Sequence, residues 1–217
     1  MIRRARQDSR ASQSKGDFNV SRIAIGFIVT ALPLAAFAAP ESFSIDPFHS
    51  HPHFQVSHLG GFMNMTGRFD KMSGKIVIDV PAKTGTVDLA IETASVSTGD
   101  SDKGPRPRAR DEHLRTPDFF NVAEFPRMTF KGAAARWTGE WPAAIEGQLT
   151  LLGVTKPVTL TVENWKCGPD PRTQGKRYMC GGNASGAIKR SEFGMKFGVG
   201  PIGDEIKLMI GVEAIRD

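Results

Sequence analysis

The sequence predicts an all-β, antiparallel fold, and two observations carry that prediction. Apolar and polar residues alternate with period two in segment after segment, and Gly, Pro, Asn and Asp separate those segments at short intervals. Successive side chains of a strand point to opposite faces, so each segment reads as a strand with one apolar face. Such strands must pack as two sheets face to face or curl into one closed sheet, and periodicity alone does not choose between these.

The elements follow along the chain. Phe54, Val56 and His58 share a face opposite Gln55 and Ser57, and Met63, Met65 and Phe69 oppose Asn64, Thr66 and Arg68. Ile76, Ile78 and Val80 form the next row, then Val87, Leu89 and Ile91 against Asp88 and Glu92. After the midpoint, Met128 and Phe130 oppose Arg127, Thr129 and Lys131, and Leu149 and Leu151 oppose Gln148 and Thr150. Val158, Leu160 and Val162 alternate with Thr159, Thr161 and Glu163, and the last row is Ile206, Leu208, Ile210 and Val212 against Glu205, Lys207 and Glu213. Weaker strands are expected over residues 43–46 and 184–189. Residues 109–121 break the pattern and predict a short helical segment, with Thr116 as N-cap, Pro117 at the first helical position, and Phe119 and Phe120 turned inward. The polar, Pro- and Arg-rich residues 99–110 read as a loop, and neither an internal repeat nor a second domain is visible.

Residues 1–38 read as a cleaved secretory signal, which leaves residues 39–217 as one domain. Six basic residues against Asp8 and Asp17 precede an apolar run from Ile23 to Ala36, and Ala36-Phe37-Ala38 supplies a small-x-small cleavage site. The run falls short of the roughly 20 apolar residues of a membrane-spanning helix and contains Pro33, which weighs against the alternative of a retained anchor. Removing six of the 28 basic and two of the 23 acidic residues leaves 22 against 21. The basicity of the full chain therefore belongs largely to the signal and is no sign of a nucleic-acid partner. Export to the periplasm also places Cys167 and Cys180, the only cysteines, in an oxidising compartment, where they read as a disulfide. Two thiols without a nearby His supply only half a tetrahedral metal shell.

No nucleophile elbow, phosphate-binding loop, H-E-x-x-H or C-x-x-C occurs. The one dense polar group is HSHPHFQVSH at residues 49–58, in which His49, His51 and His53 would share a face of an extended strand with His58 on the other. Imidazoles so placed suit zinc or copper, so a metal-binding protein or a hydrolase using this cluster stands as the alternative to structural histidines.

Four blocks in order resemble the YceI-like, polyisoprenoid-binding family. They are FSIDPFHS at 43–50 with HFQVSHLG at 53–60, DEHLRTPDFFNVAEFP at 111–126, GQLTLLGVTKPV at 147–158 and IKRSEFGM at 188–195. The Cys167 and Cys180 pair likewise resembles a paired-cysteine hairpin of many members. The resemblance spans residues 43–217 and implies an extended, eight-stranded antiparallel, lipocalin-like barrel. It further implies a non-enzymatic binding protein that stores or transports a polyisoprenoid, a quinone or a similar amphiphilic lipid, and a homodimer, since some relatives pair. The expected tunnel lining is Phe54, Val56, His58, Met63, Met65, Phe69, Phe119, Phe120, Met128, Phe130, Leu149, Leu151, Leu160, Ile206, Leu208 and Ile210. GPRPRAR at 104–110 departs from the family pattern as an insertion. It is expected near the tunnel mouth, where its charge would meet an anionic head group or a membrane surface, with a solvated linker as the alternative. Lys189, Arg190 and Glu192 stand where the family has a similar basic and acidic pair, as a gate or as a structural contact.

Overall fold

Every alternating segment falls on a β-strand in the computed structural model, which describes residues 39–217. The expected export signal lies outside the described residues. The first six strands are β1 (Glu41–Ile45), β2 (Pro52–His58), β3 (Met63–Phe69), β4 (Met72–Asp79), β5 (Thr84–Glu92) and β6 (Val96–Ser97). The last five are β7 (Arg127–Thr138), β8 (Trp141–Leu151), β9 (Val154–Pro169), β10 (Tyr178–Lys189) and β11 (Ile202–Arg216). One α-helix, α1, spans Arg110–Leu114.

All these strands pair antiparallel, in the order β1-β4-β5-β7-β8-β9-β10-β11-β2-β3-β6, and β1 also pairs with β11, which closes a ring. Both β1 and β2 lie along β11, through Ile45↔Ala214 and Pro52↔Ile210, so they are one barrel strand interrupted between them. By the same reasoning β3 and β4 are halves of the next strand, and β5 and β6 halves of the third. The eleven segments thus make an eight-stranded barrel whose neighbours follow one another along the chain. Closure settles the choice between sandwich and barrel and leaves one interior for all the apolar faces.

The interruption at residues 46–51 is bridged by side chains. Fully buried Ser50 donates its hydroxyl to the Glu213 carbonyl at 3.0 Å and accepts the Glu213 amide at 2.9 Å, while the Asp46 amide donates to the same carbonyl. The seam therefore keeps its hydrogen bonds where the ladder stops, as buried backbone groups require. At the chain's end, the Asp217 carboxylate accepts from the hydroxyls of Ser42 and Ser44, each at 2.6 Å, and from Lys75 at 2.9 Å. Those three donors hold its carboxyl far below the usual aspartate range.

Glycines mark where side chains need the space. A Cβ at Gly147 would stand 2.5 Å from the Phe130 ring, so this mid-strand glycine lets that ring lie across the wall. The same effect hid most of β10. A Cβ at Gly182 would come within 2.3 Å of the Asn164 carbonyl, and the register slips between Asn183 and Ala184. Glycines and a bulge interrupt the alternation there, so the expected strand over 184–189 is only the second half of Tyr178–Lys189.

The expected helical segment exists but is capped elsewhere. α1 begins after Ala109, and Thr116, expected as an N-cap, donates its hydroxyl back to the His113 carbonyl at 2.8 Å, which places it beyond the helix C-terminus. Residues 116–125 continue as turns, among them Phe119 N–H to Thr116 and Phe120 N–H to Leu114. Phe119 and Phe120 are buried as expected.

Cys167 and Cys180 stand directly opposite in β9 and β10 and form a disulfide, with Cys180 fully buried. Beyond it, the buried carboxylate of Asp170 accepts from the backbone and guanidinium of Arg172 and from Arg177, which lower its pKa.

Two outcomes follow from these contacts. Cys167→Ser with Cys180→Ser, or reduction of the bridge, opens a loop whose ends are 13 residues apart and should lower unfolding stability by about 3 kcal/mol in urea titrations. Asp217 and Asp170 have folded pKa values below the ordinary 3.8, so their stabilisation is complete above that value and lost as pH falls through the lowered ones. The urea midpoint should therefore drop below about pH 4, and Asp217→Asn should flatten that drop while leaving its steepness near neutrality unchanged.

Candidate binding cavity

The apolar faces do not fill the barrel. A cavity of about 330 Å³ occupies the half of the interior near α1, within the range of small-molecule sites. A smaller one of about 70 Å³ lies toward the disulfide end. Leu89, Phe130, Leu160 and Ile210 line both and form the layer between them.

All the expected lining residues but one face the larger cavity: Phe54, Val56, His58, Met65, Phe69, Phe119, Phe120, Met128, Phe130, Leu149, Leu151, Leu160, Ile206, Leu208 and Ile210. Met63 does not. It has the parity of Met65 and Phe69, but as the first residue of β3, paired with His58 beside the turn, it projects past the rim and is 54% exposed. Ile91 and Val158 also line the cavity and continue rows already visible in the sequence. Met195 comes from the loop after β10, His113 and Leu114 from α1, and Ile202 from the irregular start of β11, where no period announces them.

A break in the strand wall follows from the topology. β3 pairs with β6 only through Arg68 and Phe69, so along Met63–Gly67 the outer edge of β3 has no strand beside it. Residues 98–121 fill that gap, and the exposed Thr66 and half-buried Met65 line the cavity there together with Thr98, Arg110 and His113. The DEHLR block builds this closure residue by residue. Buried Asp111 accepts from the Thr98 amide at 2.8 Å and hydroxyl at 2.6 Å, and Arg115 donates to the carbonyls of Ala94 and Val96. These two residues, four apart, staple one side of α1 to the β5–β6 strand, while His113 and Leu114 face the cavity. His113 stacks edge-on against Phe119 and Phe197, and its Nε2 lies 2.7 Å from Asp118 and also against Arg108. The His113 and Arg108 contacts hold the Asp118 carboxyl below its ordinary pKa.

Arg190, from IKRSEFGM, lines the cavity yet is 2% exposed. Its guanidinium donates to the carbonyls of Gly203 at 2.8 Å, Met195 at 3.1 Å, Phe197 at 2.8 Å and Ile202 at 3.0 Å, and so clamps the loop between β10 and β11. Burial lowers its pKa and the charge of nearby Asp204 opposes that, but a guanidinium remains protonated. Ser191 donates to Asp204 through both its amide and its hydroxyl. The contact at Arg190 is thus structural.

Of the four histidines of residues 49–58, His49, His51 and His53 line one surface depression, as a shared strand face predicts, and His58 lines the cavity, but no three of them bring ring nitrogens within ligand distance of one another. His58 and His53 line the cavity, while His49 lies in the seam interruption, 2.9 Å from Asp46 and 3.9 Å from Glu213. Asp46, His49 and Glu213 are the one group of three metal-type ligands among the described residues. The Arg172 guanidinium stands 3.0 Å from both His49 and Glu213, so a cation already sits among them. At the cavity, the buried Nδ1 of His58 has no hydrogen-bond partner among the described residues.

Residues 43–214 match the family model described as the YceI-like domain. A UPF0312 protein of Pseudomonas aeruginosa is 35% identical over 182 residues, covering 83% of this chain and 89% of that protein. A mutant of the Campylobacter jejuni YceI protein has a solved structure that is 28% identical and covers 72% of this chain and 87% of its own, with a TM-score of 0.59. A polyisoprenoid binding domain from Saccharophagus degradans, implicated in plant cell wall breakdown, shares the fold with a TM-score of 0.55, at 19% identity and covering 82% of this chain and 99% of its own.

Removing the Arg190 clamp should leave carbonyls unpaired. Arg190→Met is expected to cost about 3 kcal/mol in urea unfolding, and limited proteolysis should cut first between Met195 and Gly203.

Proposed function

The chain belongs to the YceI-like domain family, and from that membership together with the cavity we propose that it holds a polyisoprenoid or similar amphiphilic lipid inside its barrel. The observation that carries this reading is the cavity's wall: Phe, Met, Leu, Ile and Val over most of its surface, with Thr66, Thr98, Arg110, His113 and His58 gathered near the gap beside β3. An apolar tail in such a cavity is stabilised by about 0.8 kcal/mol per buried CH₂ before the cost of immobilisation, and no covalent step is needed. Methionines at 65, 72, 128 and 195 adapt to an irregular chain. The head, a quinone or a prenyl phosphate, would lie at the gap, where the unpartnered Nδ1 of His58 is available to it.

Export completes the proposal. The disulfide fits an oxidising compartment, and a carrier that stores or moves a lipid through the aqueous periplasm needs an interior that excludes water. The histidine ring nitrogens form no three-ligand group of their own among the described residues, and the one such group there already holds the Arg172 guanidinium, which favours this reading over metal binding.

Mass spectrometry of an organic extract of the purified protein, with metal analysis of the same sample, tests it. Near-stoichiometric isoprenoid is expected. Val56→Trp, which places an indole in the cavity, should reduce the extracted lipid at least roughly tenfold while costing about 1–3 kcal/mol of stability. Stoichiometric metal with no lipid would overturn the proposal.

A further inference from the structure

Five of the seven strongly exposed large apolar residues among the described residues fall on two adjacent loops. Leu59 (56%) and Phe62 (91%) belong to the turn between β2 and β3 and Met63 (54%) opens β3, while Phe197 (45%) and Val199 (43%) belong to the loop between β10 and β11. The Gly60 amide donates to the Pro201 carbonyl, and Leu59 and Phe62 share a shallow depression with Gly200 and Pro201. Phe48 and Met209, the other two, are single exposures of the kind any surface carries.

This patch is the outer lip of the cavity. His58 precedes Leu59 and lines the cavity, Met63 leads to Met65 at the gap, and Phe197 packs on His113 and Phe119. Arg190 holds the Phe197 carbonyl, so the second loop is presented by a buried clamp.

Charge decides what covers the patch. The basic insertion lies alongside, but its arginines are each ion-paired nearby, two of them sharing Asp100 and the third on Asp118. Arg106 is bidentate on Asp100 at 2.6 and 2.7 Å, Arg110 lies 3.1 Å from Asp100, and Arg108 lies 3.2 Å from Asp118. The arginines of the insertion are thus engaged locally and are not aimed outward at an anionic surface. What projects beyond them is mainly apolar, with Lys196 beside Phe197 as the one exposed cation of the two loops and ion pairs behind it. This arrangement complements a zwitterionic head-group layer that admits side chains to the level of the first methylenes, and it does not match a charged protein surface.

We propose that the Leu59–Phe62–Met63 and Phe197–Val199 lip inserts into the surface of a phospholipid bilayer and turns the cavity mouth toward it, so that a lipid enters without crossing open water. The inference rests on the proposed lipid-binding function for its purpose but on its own surface for its test.

Phe62→Trp in the full chain supplies a local probe. The native tryptophans, Trp137, Trp141 and Trp165, lie toward the far end of the barrel, near the turns that follow β7 and β9. With phosphatidylcholine vesicles carrying brominated acyl chains, the added indole should shift to shorter wavelength and lose most of its emission, while native emission stays within a few per cent. Leu59→Ser with Phe62→Ser should weaken vesicle flotation about tenfold or more, with unchanged unfolding. Flotation should change little between low and high salt.

An unquenched added tryptophan would overturn the proposal. So would flotation that requires anionic lipid and disappears in salt, or a blue shift that grows with protein concentration in the absence of vesicles, which would mark a second copy of the chain as the occupant. Quenching without any lipid in the organic extract would instead sink the lipid-holding function and leave the docking surface standing. Extracted lipid without quenching would do the reverse.

Discussion

The seam between β11 and the interrupted β1–β2 strand is the constraint on which the rest depends. Without it the strands form an open sheet with a wet apolar face; with it that face becomes an interior. The chain leaves the ladder at residues 46–51, so between the two stretches of backbone pairing the seam is bridged by the buried Ser50 hydroxyl and the Asp46 amide, with carboxylates at its margins. Asp217 gathers Ser42, Ser44 and Lys75, and Arg172 joins Asp46, His49 and Glu213. Several of the polar residues that look functional in the sequence are thus parts of the closure.

Closure at one seam leaves a complementary gap. β6 is only two residues long, so the outer edge of β3 lacks a strand over most of its length, and residues 98–121 cover what the sheet does not. The coverage is polar on its outer side and apolar within. Asp111 and Arg115 tie it to the wall, and Leu114, Phe119 and Phe120 face the cavity. A barrel built this way has unlike ends. The disulfide and Asp170 fix one end, where the interior is nearly filled; at the other, loops are held by backbone-directed guanidinium contacts around an open volume. The proposed lipid function and the proposed membrane contact both belong to that second end.

The buried charges there act through position. A guanidinium taken out of water is costly unless its donors are matched, and Arg190 is matched by four carbonyls of one loop. It lines the cavity and fixes the backbone that carries Phe197 and Val199, so one residue links interior and lip. Arg108 illustrates the opposite case: its charge, in a basic insertion, suggests an external anion, yet it pairs with Asp118 and His113.

Periodicity is a local property, so the strands, the inward rows and the apolar lining could be read from the sequence. It misleads where local parity meets the barrel's finite length, as at Met63, which points inward by count but lies past the rim. It fails where glycines replace side chains, as in the first half of β10, and at Thr116, whose hydroxyl has a closer acceptor in the turn behind it than the helix it seemed to cap. By itself the sequence determined which residues face in, that the cysteines could pair, and, through four ordered blocks, the family. Only the tertiary structure decided that the sheet closes into a ring with Ser50 bridging its interrupted seam, that Arg190 is a clamp, that His49 joins Asp46, Glu213 and Arg172, and that Phe62 and Phe197 stand together at the mouth. Those outcomes depend on contacts between residues far apart in the chain, and the distance between such residues is set by the closed ring, to which no local pattern refers.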